Sequence, residues 1–157
     1  EAIRLDPQLA EAYNNRGIVK YELGQFPSAV EDYTRAIQLK SNYADAMNNR
    51  GNAYAVLGQF QNAEQDLRSA LRLNDKSAAA HNNLGSVYLS QKNFNAAISE
   101  YTRAIELSPN FAEAYYNRAL AYYAQGNSTD ALTDARKSVQ LNPNDADARS
   151  LYEKLNR

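Results

Sequence analysis

Asparagine recurs at a fixed interval in this chain, within stretches whose composition otherwise favours helices. "YNNRG" at residues 13–17 returns as "MNNRG" at 47–51, "HNNLG" at 81–85 and "YYNRA" at 115–119. A side-chain amide offers a donor and an acceptor together, so it can bond both the N–H and the C=O of an extended peptide. Because asparagine is a mediocre helix former, its repetition on one turn favours a role in binding. Two alternatives stay open, since the amides could be solvated or could tie one copy to the next.

Basic and acidic residues form two further columns that are 16 residues apart. The columns are Arg16, Arg50, Leu84 and Arg118, followed by Asp32, Asp66, Glu100 and Asp134. Because both columns change in the same copy, we interpret them as ion pairs between two helices. The alternative is an arginine stripe that binds the anionic backbone of RNA. A net charge of −1 counts against that alternative.

The sequence gives little support for catalytic chemistry. His81 is the only histidine, and it shares the column of Tyr13, Met47 and Tyr115, which predicts a packing role. The chain has no cysteine, no phosphate-binding glycine loop and no nucleophile motif. It also contains neither an apolar run of about 18 residues nor a signal peptide. We therefore expect a noncatalytic, cytoplasmic protein with no cofactor, no metal and no nucleic-acid or membrane partner.

The elements that position these side chains repeat with one period. Gly17, Gly51 and Gly85 are 34 residues apart, and apolar residues follow helical spacing within each copy. "LGQFP" at 23–27 supplies a glycine that can end one helix and a proline suited to the first turn of the next. Each copy is therefore predicted to be a hairpin of two helices. The predicted helices are 9–23, 27–40, 43–57, 61–74, 77–91, 95–107, 111–125, 129–141 and 145–156.

The period and the order of its residues resemble the tetratricopeptide repeat family. The residues that carry the resemblance include Tyr13 before Gly17, the second-helix series of Ala29, Tyr33 and Ala36, and the closing prolines Pro109 and Pro143. The resemblance implies an all-α fold, an α-α superhelix (solenoid) of four helical hairpins plus a C-terminal capping helix. The implied boundaries are a remnant of a preceding repeat at 1–8, repeats at 9–42, 43–76, 77–110 and 111–144, and the capping helix at 145–157.

The fourth repeat departs from the pattern of the other three. Ser128, Ala135 and Ser138 stand where earlier repeats have larger or more apolar residues. Tyr152 of the capping helix occupies the column of Arg16 and its equivalents. We expect Tyr152 to fill the volume that these small residues leave.

The resemblance also implies where a ligand would lie. In the family, the surface of the first helix that carries the asparagines lines a concave groove, and the asparagine row here resembles the asparagine ladder of peptide-binding members. The residues that it places in the peptide-binding groove are Asn15, Asn49, Asn83, Asn117, Asn14, Asn48, Asn82, Asn52, Tyr21, Tyr116 and Tyr123.

A second binding mode of the family is not matched. In that mode lysine and arginine side chains clamp the terminal carboxylate of a peptide. Aligned on the second to fourth repeats, the clamp would use Asn48, Asn52, Asn83, Glu113 and Asn117. None of its three cationic positions holds a cation, so we expect peptides with acidic tails not to bind.

These observations predict a noncatalytic protein–protein interaction scaffold that binds an extended segment in its concave groove. The groove carries acidic residues such as Glu11 and Glu113 and no lysine, which favours a neutral or basic partner. Three alternatives stay open. The chain could be a self-assembly module that joins copies weakly through its N-terminal end, a substrate-targeting region of a larger enzyme, or a chain with no natural ligand.

Overall fold

The computed structural model describes residues 9–157 of the chain, and the predicted remnant at 1–8 lies outside the described residues. Every regular element within 9–157 is an α-helix. In chain order the helices are α1 (Ala10–Glu22), α2 (Phe26–Leu39), α3 (Ala44–Val56), α4 (Phe60–Leu73), α5 (Ala78–Ser90), α6 (Phe94–Leu107), α7 (Ala112–Ala124), α8 (Ser128–Leu141) and α9 (Ala146–Leu155). The predicted all-α fold of helical hairpins plus a C-terminal helix is thereby confirmed.

The helices pair into four hairpins, α1–α2, α3–α4, α5–α6 and α7–α8, each closed by a short turn. Gly24, Gly58 and Gly126 lie in three of these turns with φ between 72° and 88°, a conformation that costs glycine little. Lys92 holds the same position in the third turn with φ of 60°. A side chain in this left-handed region carries a steric cost, so the third turn is the strained one.

In the first three hairpins a large residue on the second helix lies against a glycine on the first helix. A Cβ added at Gly17 would lie 2.6 Å from the Tyr33 ring, and one added at Gly85 would lie 2.7 Å from the Tyr101 ring. Both tyrosines are almost fully buried. Contact this close leaves room only for glycine, which explains why the first helices of these hairpins carry glycine.

The described chain divides into two compact units, the first running to Lys76 and the second being Ser77–Arg157. In the first unit α3 packs on α2, and the core cluster consists of Ala29, Tyr33 and Ala53. In the second unit α7 packs on α6 and α9 packs on α8. The alanines let neighbouring helices approach closely while the aromatic rings fill the remaining space.

The capping helix α9 completes the core of the second unit. Leu151 is 8% exposed and joins Ala119 and Ala135 in one cluster. Tyr152 packs against this cluster and is only half-buried. Of the three small residues of the fourth repeat, Ala135 is thus covered by Leu151 and Tyr152 together, while Ser128 is exposed, so our expectation for Tyr152 holds only at Ala135. Ser138 is fully buried, and its hydroxyl donates to the carbonyl of Ala112 at 2.9 Å.

Candidate functional site

The two asparagine columns meet in the first unit, where they join successive first helices. The Asn49 amide Nδ2 on α3 donates to Oδ1 of Asn14 on α1 at 3.1 Å. Asn14 is 5% exposed, while the neighbouring Asn15 is exposed to solvent. Asn48 donates to Oδ1 of Asn49 at 3.3 Å. Asn49 is thus held in a fixed orientation between a buried amide and a half-buried one.

The second unit repeats this bond between α5 and α7. Asn117 Nδ2 donates to Oδ1 of Asn82 at 3.1 Å. Asn82 is 2% exposed, and its own Nδ2 donates to Oε1 of Glu113 at 3.0 Å. The same pair of positions is therefore joined in both units, and in the second unit the buried amide also fixes a carboxylate. Asn83, the neighbour of Asn82, is half-buried.

The amide bonds between helices give the two asparagine columns different roles. Asn14 and Asn82 are buried and join one hairpin to the next, which is a structural task. Asn49 and Asn117 are half-buried, and the bond to the buried partner uses one of the two N–H groups of each amide. An amide has two donors and a carbonyl that accepts twice, so these two side chains keep hydrogen-bonding capacity while their orientation is set.

The predicted tyrosines have different environments. In the first unit Asn52 donates to the Tyr21 hydroxyl at 3.0 Å, and the Tyr21 ring lies edge-on to Phe26 with centroids 5.1 Å apart. In the second unit Tyr116 is half-buried against the α9 cluster. Tyr123 is exposed, and the Lys154 ammonium lies 4.6 Å from its ring centroid. Tyr21 and Tyr116 therefore have fixed positions, whereas the Tyr123 side chain is exposed to solvent.

The ion pairs between the two helices of a hairpin are present as predicted. Arg50 binds Asp66 through two N–H···O bonds of 2.6 and 2.8 Å, and Arg118 binds Asp134 at 2.6 and 2.9 Å. Arg16 binds Asp32 in the same bidentate way, at 2.7 and 2.5 Å. With both carboxylate oxygens engaged, these arginines hold the hairpins together rather than lining an anion-binding stripe.

Two of these arginines also reach the hairpin before their own. Arg50 Nη1 donates to the Thr34 hydroxyl at 3.0 Å, and Arg118 Nη1 donates to the Thr102 hydroxyl at 2.9 Å. Each threonine precedes its arginine by 16 residues in the sequence, so this regular spacing could have predicted the contact. Each arginine thus joins three helices within its unit.

The pKa of the Asp32 carboxyl is shifted by its surroundings. Burial by itself would raise the pKa of Asp32, but the hydrogen bonds from Arg16 and Lys20 outweigh it and hold that pKa below its ordinary value. A lowered pKa means that the pair stabilises the fold at neutral pH. This contribution is lost as the pH falls through the lowered pKa of Asp32.

The third hairpin has a different polar contact between its two helices, which was not predicted from the sequence. Leu84 replaces the arginine and is 2% exposed. The Glu100 carboxylate lies instead 2.7 Å from Nδ1 of His81, one turn before Leu84 on α5. His81 therefore has a specific polar partner in addition to its packing role. The sequence does contain a signal for this contact, because His81 occurs in the one repeat that has Leu84 instead of arginine.

No group of three or more histidine, cysteine or acidic side chains in residues 9–157 could hold a metal ion. Among the described helices, none is both long and apolar enough to cross a membrane.

Stacked helical hairpins with polar side chains repeated on their first helices define a class of protein, the α-helical repeat scaffold. The family model described as "TPR repeat" matches residues 19–58 and 85–126, and the one described as "Tetratricopeptide repeat" matches 44–77 and 112–145. The chain belongs to the tetratricopeptide repeat family, whose members act as protein-interaction scaffolds. No curated protein matches the chain significantly.

Solved structures with the same fold include several known proteins. A crystal structure of MamA is 27% identical, with a TM-score of 0.78, over 90% of this chain and 83% of its own. A chain in the crystal structure of the APC/C hetero-tetramer Cut9–Hcn1 is 26% identical with a TM-score of 0.91, over 99% of this chain and 31% of its own. The first TPR of Spaghetti (RPAP3), bound to the HSP90 peptide SRMEEVD, is 24% identical with a TM-score of 0.69, over 72% and 90%. This last match shows the fold alone.

Proposed function

We propose that the chain is a noncatalytic scaffold that binds an extended segment of another protein along the asparagine-bearing face of its first helices. The observation that carries this proposal is the repeated amide bond, from Asn49 to Asn14 and from Asn117 to Asn82. This bond fixes the orientation of the Asn49 amide in the first unit and of the Asn117 amide in the second. Both amides can still donate and accept further hydrogen bonds. An oriented amide loses little freedom when it bonds a peptide main chain.

Spacing supports an extended ligand within each unit. Packed helices lie about 8–10 Å apart, and an extended strand advances about 3.3 Å per residue. Asn15 and Asn49, on the first helices of successive hairpins, would therefore meet a bound strand about every third residue. Because such a row bonds only the main chain, it binds many sequences, and selectivity has to come from side chains beside it.

The absence of a cationic clamp supports a neutral or basic segment. Asn48, Glu113 and Asn117 stand where a carboxylate clamp needs lysine or arginine. Each charge-assisted bond to a carboxylate is worth about 1.5–3 kcal/mol, so its absence disfavours acidic tails. The hetero-tetramer that contains Cut9 is consistent with a role of this helix arrangement in protein association.

Replacing Asn49 by alanine should weaken peptide binding by about tenfold, because the main-chain bonds of one rung are lost. The probe is a peptide selected on the wild-type chain from a display library of random peptides, with affinity measured by calorimetry. The structure shows that Asn49→Ala also removes a bond to buried Asn14, so we expect a loss of about 1–3 kcal/mol of stability as well.

Asn14→Ala is the matched control, since it breaks the same inter-helix bond from the other side and keeps the Asn49 amide. Equal weakening of binding by Asn14→Ala and Asn49→Ala would mean that the asparagines act only through stability. A display library that yields no binding peptide for the wild-type chain would overturn the proposed function itself.

A second candidate function, self-association through α1, is favoured by one specific observation. Val19 is 54% exposed, although Ala53 and Ala121 in the same column are fully buried. Leu23, one turn farther along α1, is 67% exposed. A face that is buried in later repeats and open in the first one is an apolar surface that another copy of the chain can cover.

We therefore expect a weak dimer whose formation depends on Val19. Sedimentation should show a concentration-dependent shift in mass for the wild-type chain and none for Val19→Lys. Val56→Lys is the matched control, because Val56 is similarly exposed at 50% but belongs to no buried column. A strictly monomeric wild-type chain at high concentration would remove this candidate.

A further inference from the structure

Glu113 differs from its equivalent in the first repeat by lacking a cation. Glu11 occupies the same column of the repeat and binds the Lys40 ammonium at 3.3 Å. The residue that corresponds to Lys40 in the fourth repeat is Asn142. Within residues 9–157 no lysine or arginine forms a salt bridge with Glu113. The first repeat thus shows that a lysine ammonium reaches a carboxylate in this column, and the fourth repeat lacks that lysine.

The Glu113 carboxylate is nevertheless held in place. Asn82, which is 2% exposed, donates to its Oε1 at 3.0 Å. The same Asn82 accepts from Asn117 at 3.1 Å. Residues four apart on a helix lie on one face, so Glu113 and Asn117 are neighbours on α7 that share one buried anchor.

The surroundings of this pair add negative rather than positive charge. Asp145, the residue before the capping helix α9, corresponds in the repeat pattern to Tyr43, the first residue of the second repeat, whose ring centroid lies 4.6 Å from the Lys40 ammonium. Burial raises the pKa of Tyr116, and the nearby carboxylates Asp147 and Asp145 raise it further. Tyr116 lies three residues after Glu113 on α7, so these carboxylates add negative charge within about one helical turn of Glu113.

We propose that Glu113 is the subsite for a lysine or arginine side chain of the bound peptide, next to the main-chain contact at Asn117. The inference rests on the proposed function, because it assigns a side-chain preference to the same peptide. Asn82 bonds one carboxylate oxygen of Glu113, and the other oxygen would accept from the ammonium or guanidinium of the peptide, as the Glu11 carboxylate accepts from Lys40. Selectivity for a basic side chain then comes from the Glu113 carboxylate, and Asn117 beside it contributes only main-chain bonds.

The test selects random displayed peptides on the wild-type chain and on Glu113→Gln. The glutamine keeps a carbonyl that accepts from Asn82, so the fold and the Asn117 rung are retained. Wild-type selections should enrich lysine or arginine at one position, and the enriched peptides should bind Glu113→Gln at least tenfold more weakly. Glu11→Gln is the matched control, since Lys40 already neutralises Glu11, and it should keep the wild-type preference.

Asn142→Lys supplies a second, independent variant. It places a lysine where Lys40 lies in the first repeat, so an internal ammonium should compete with the peptide and weaken basic peptides by a similar factor. Enriched peptides without a basic position, or a basic preference that survives both Glu113→Gln and Asn142→Lys, would overturn the inference and leave the proposed function standing. Failure to enrich any peptide on the wild-type chain would overturn both.

Discussion

Replacing Arg50 by alanine is expected to lower the free energy of unfolding by about 3–5 kcal/mol, a loss typical of breaking a buried ion pair from one side. The Arg50 and Asp66 side chains are only 18% and 10% exposed. Without Arg50 the Asp66 carboxylate would remain in the hairpin interface with no cation, and Thr34 would also lose its bond. Chemical denaturation of the variant and the wild-type chain measures the difference.

The double variant Arg50→Ala/Asp66→Ala separates an ion pair from two independent contributions. Because it removes the uncompensated carboxylate as well, it should cost no more than Arg50→Ala alone. Arg103→Ala is the control for an exposed pair with Glu106, and we expect a change below about 1 kcal/mol there. Additive losses at positions 50 and 66 would contradict the pairing.

Tyr101→Ala should cost about 3–5 kcal/mol, because the ring is fully buried and its removal leaves a cavity in the third hairpin. The effect of Gly85→Ala should then depend on the background. In the wild-type chain the new methyl group meets the Tyr101 ring and destabilises by about 1–3 kcal/mol. In Tyr101→Ala the ring is absent, and the better helix propensity of alanine stabilises by about 1 kcal/mol.

The fourth hairpin supports the expectation that Gly85→Ala stabilises the chain once Tyr101 is alanine. The fourth hairpin carries Ala119 and Ala135 where the third carries Gly85 and Tyr101, so the alanine pair is already compatible with the fold. Ala119→Gly is the matched control and should destabilise by about 1 kcal/mol. If Gly85→Ala has the same effect in both backgrounds, glycine is present for a reason other than the close contact with Tyr101.

Much of the fold could be predicted because one signal was repeated many times. The helices lie within about one residue of their predicted bounds, since glycine or proline marks most turns and each repeat confirms the last. The third turn illustrates the strength of the period, because Lys92 adopts the left-handed conformation that glycine has in the other three turns. A single copy of that turn would have given no such signal.

The candidate site was harder to predict, because its contacts depend on how one hairpin is offset from the next. The sequence placed Asn14 and Asn15 side by side, yet the stacking of α1 and α3 buries the first and exposes the second. The bonds from Asn49 to Asn14 and from Asn82 to Glu113 join residues that no local pattern connects. The pairing of Arg50 with Asp66 was predictable because it lies within one hairpin, where the helix spacing fixes the partner.

The threonine contacts of Arg50 and Arg118 affect how unfolding spreads along the chain. In a nearest-neighbour description, the stability of a repeat array is the sum of intrinsic terms for each repeat and coupling terms between adjacent ones. Each of these arginines contributes to an intrinsic term through its aspartate and to a coupling term through its threonine. Losing the bonds within one hairpin therefore also weakens its hold on the hairpin before it, which makes the two hairpins of a unit open as one cooperative block.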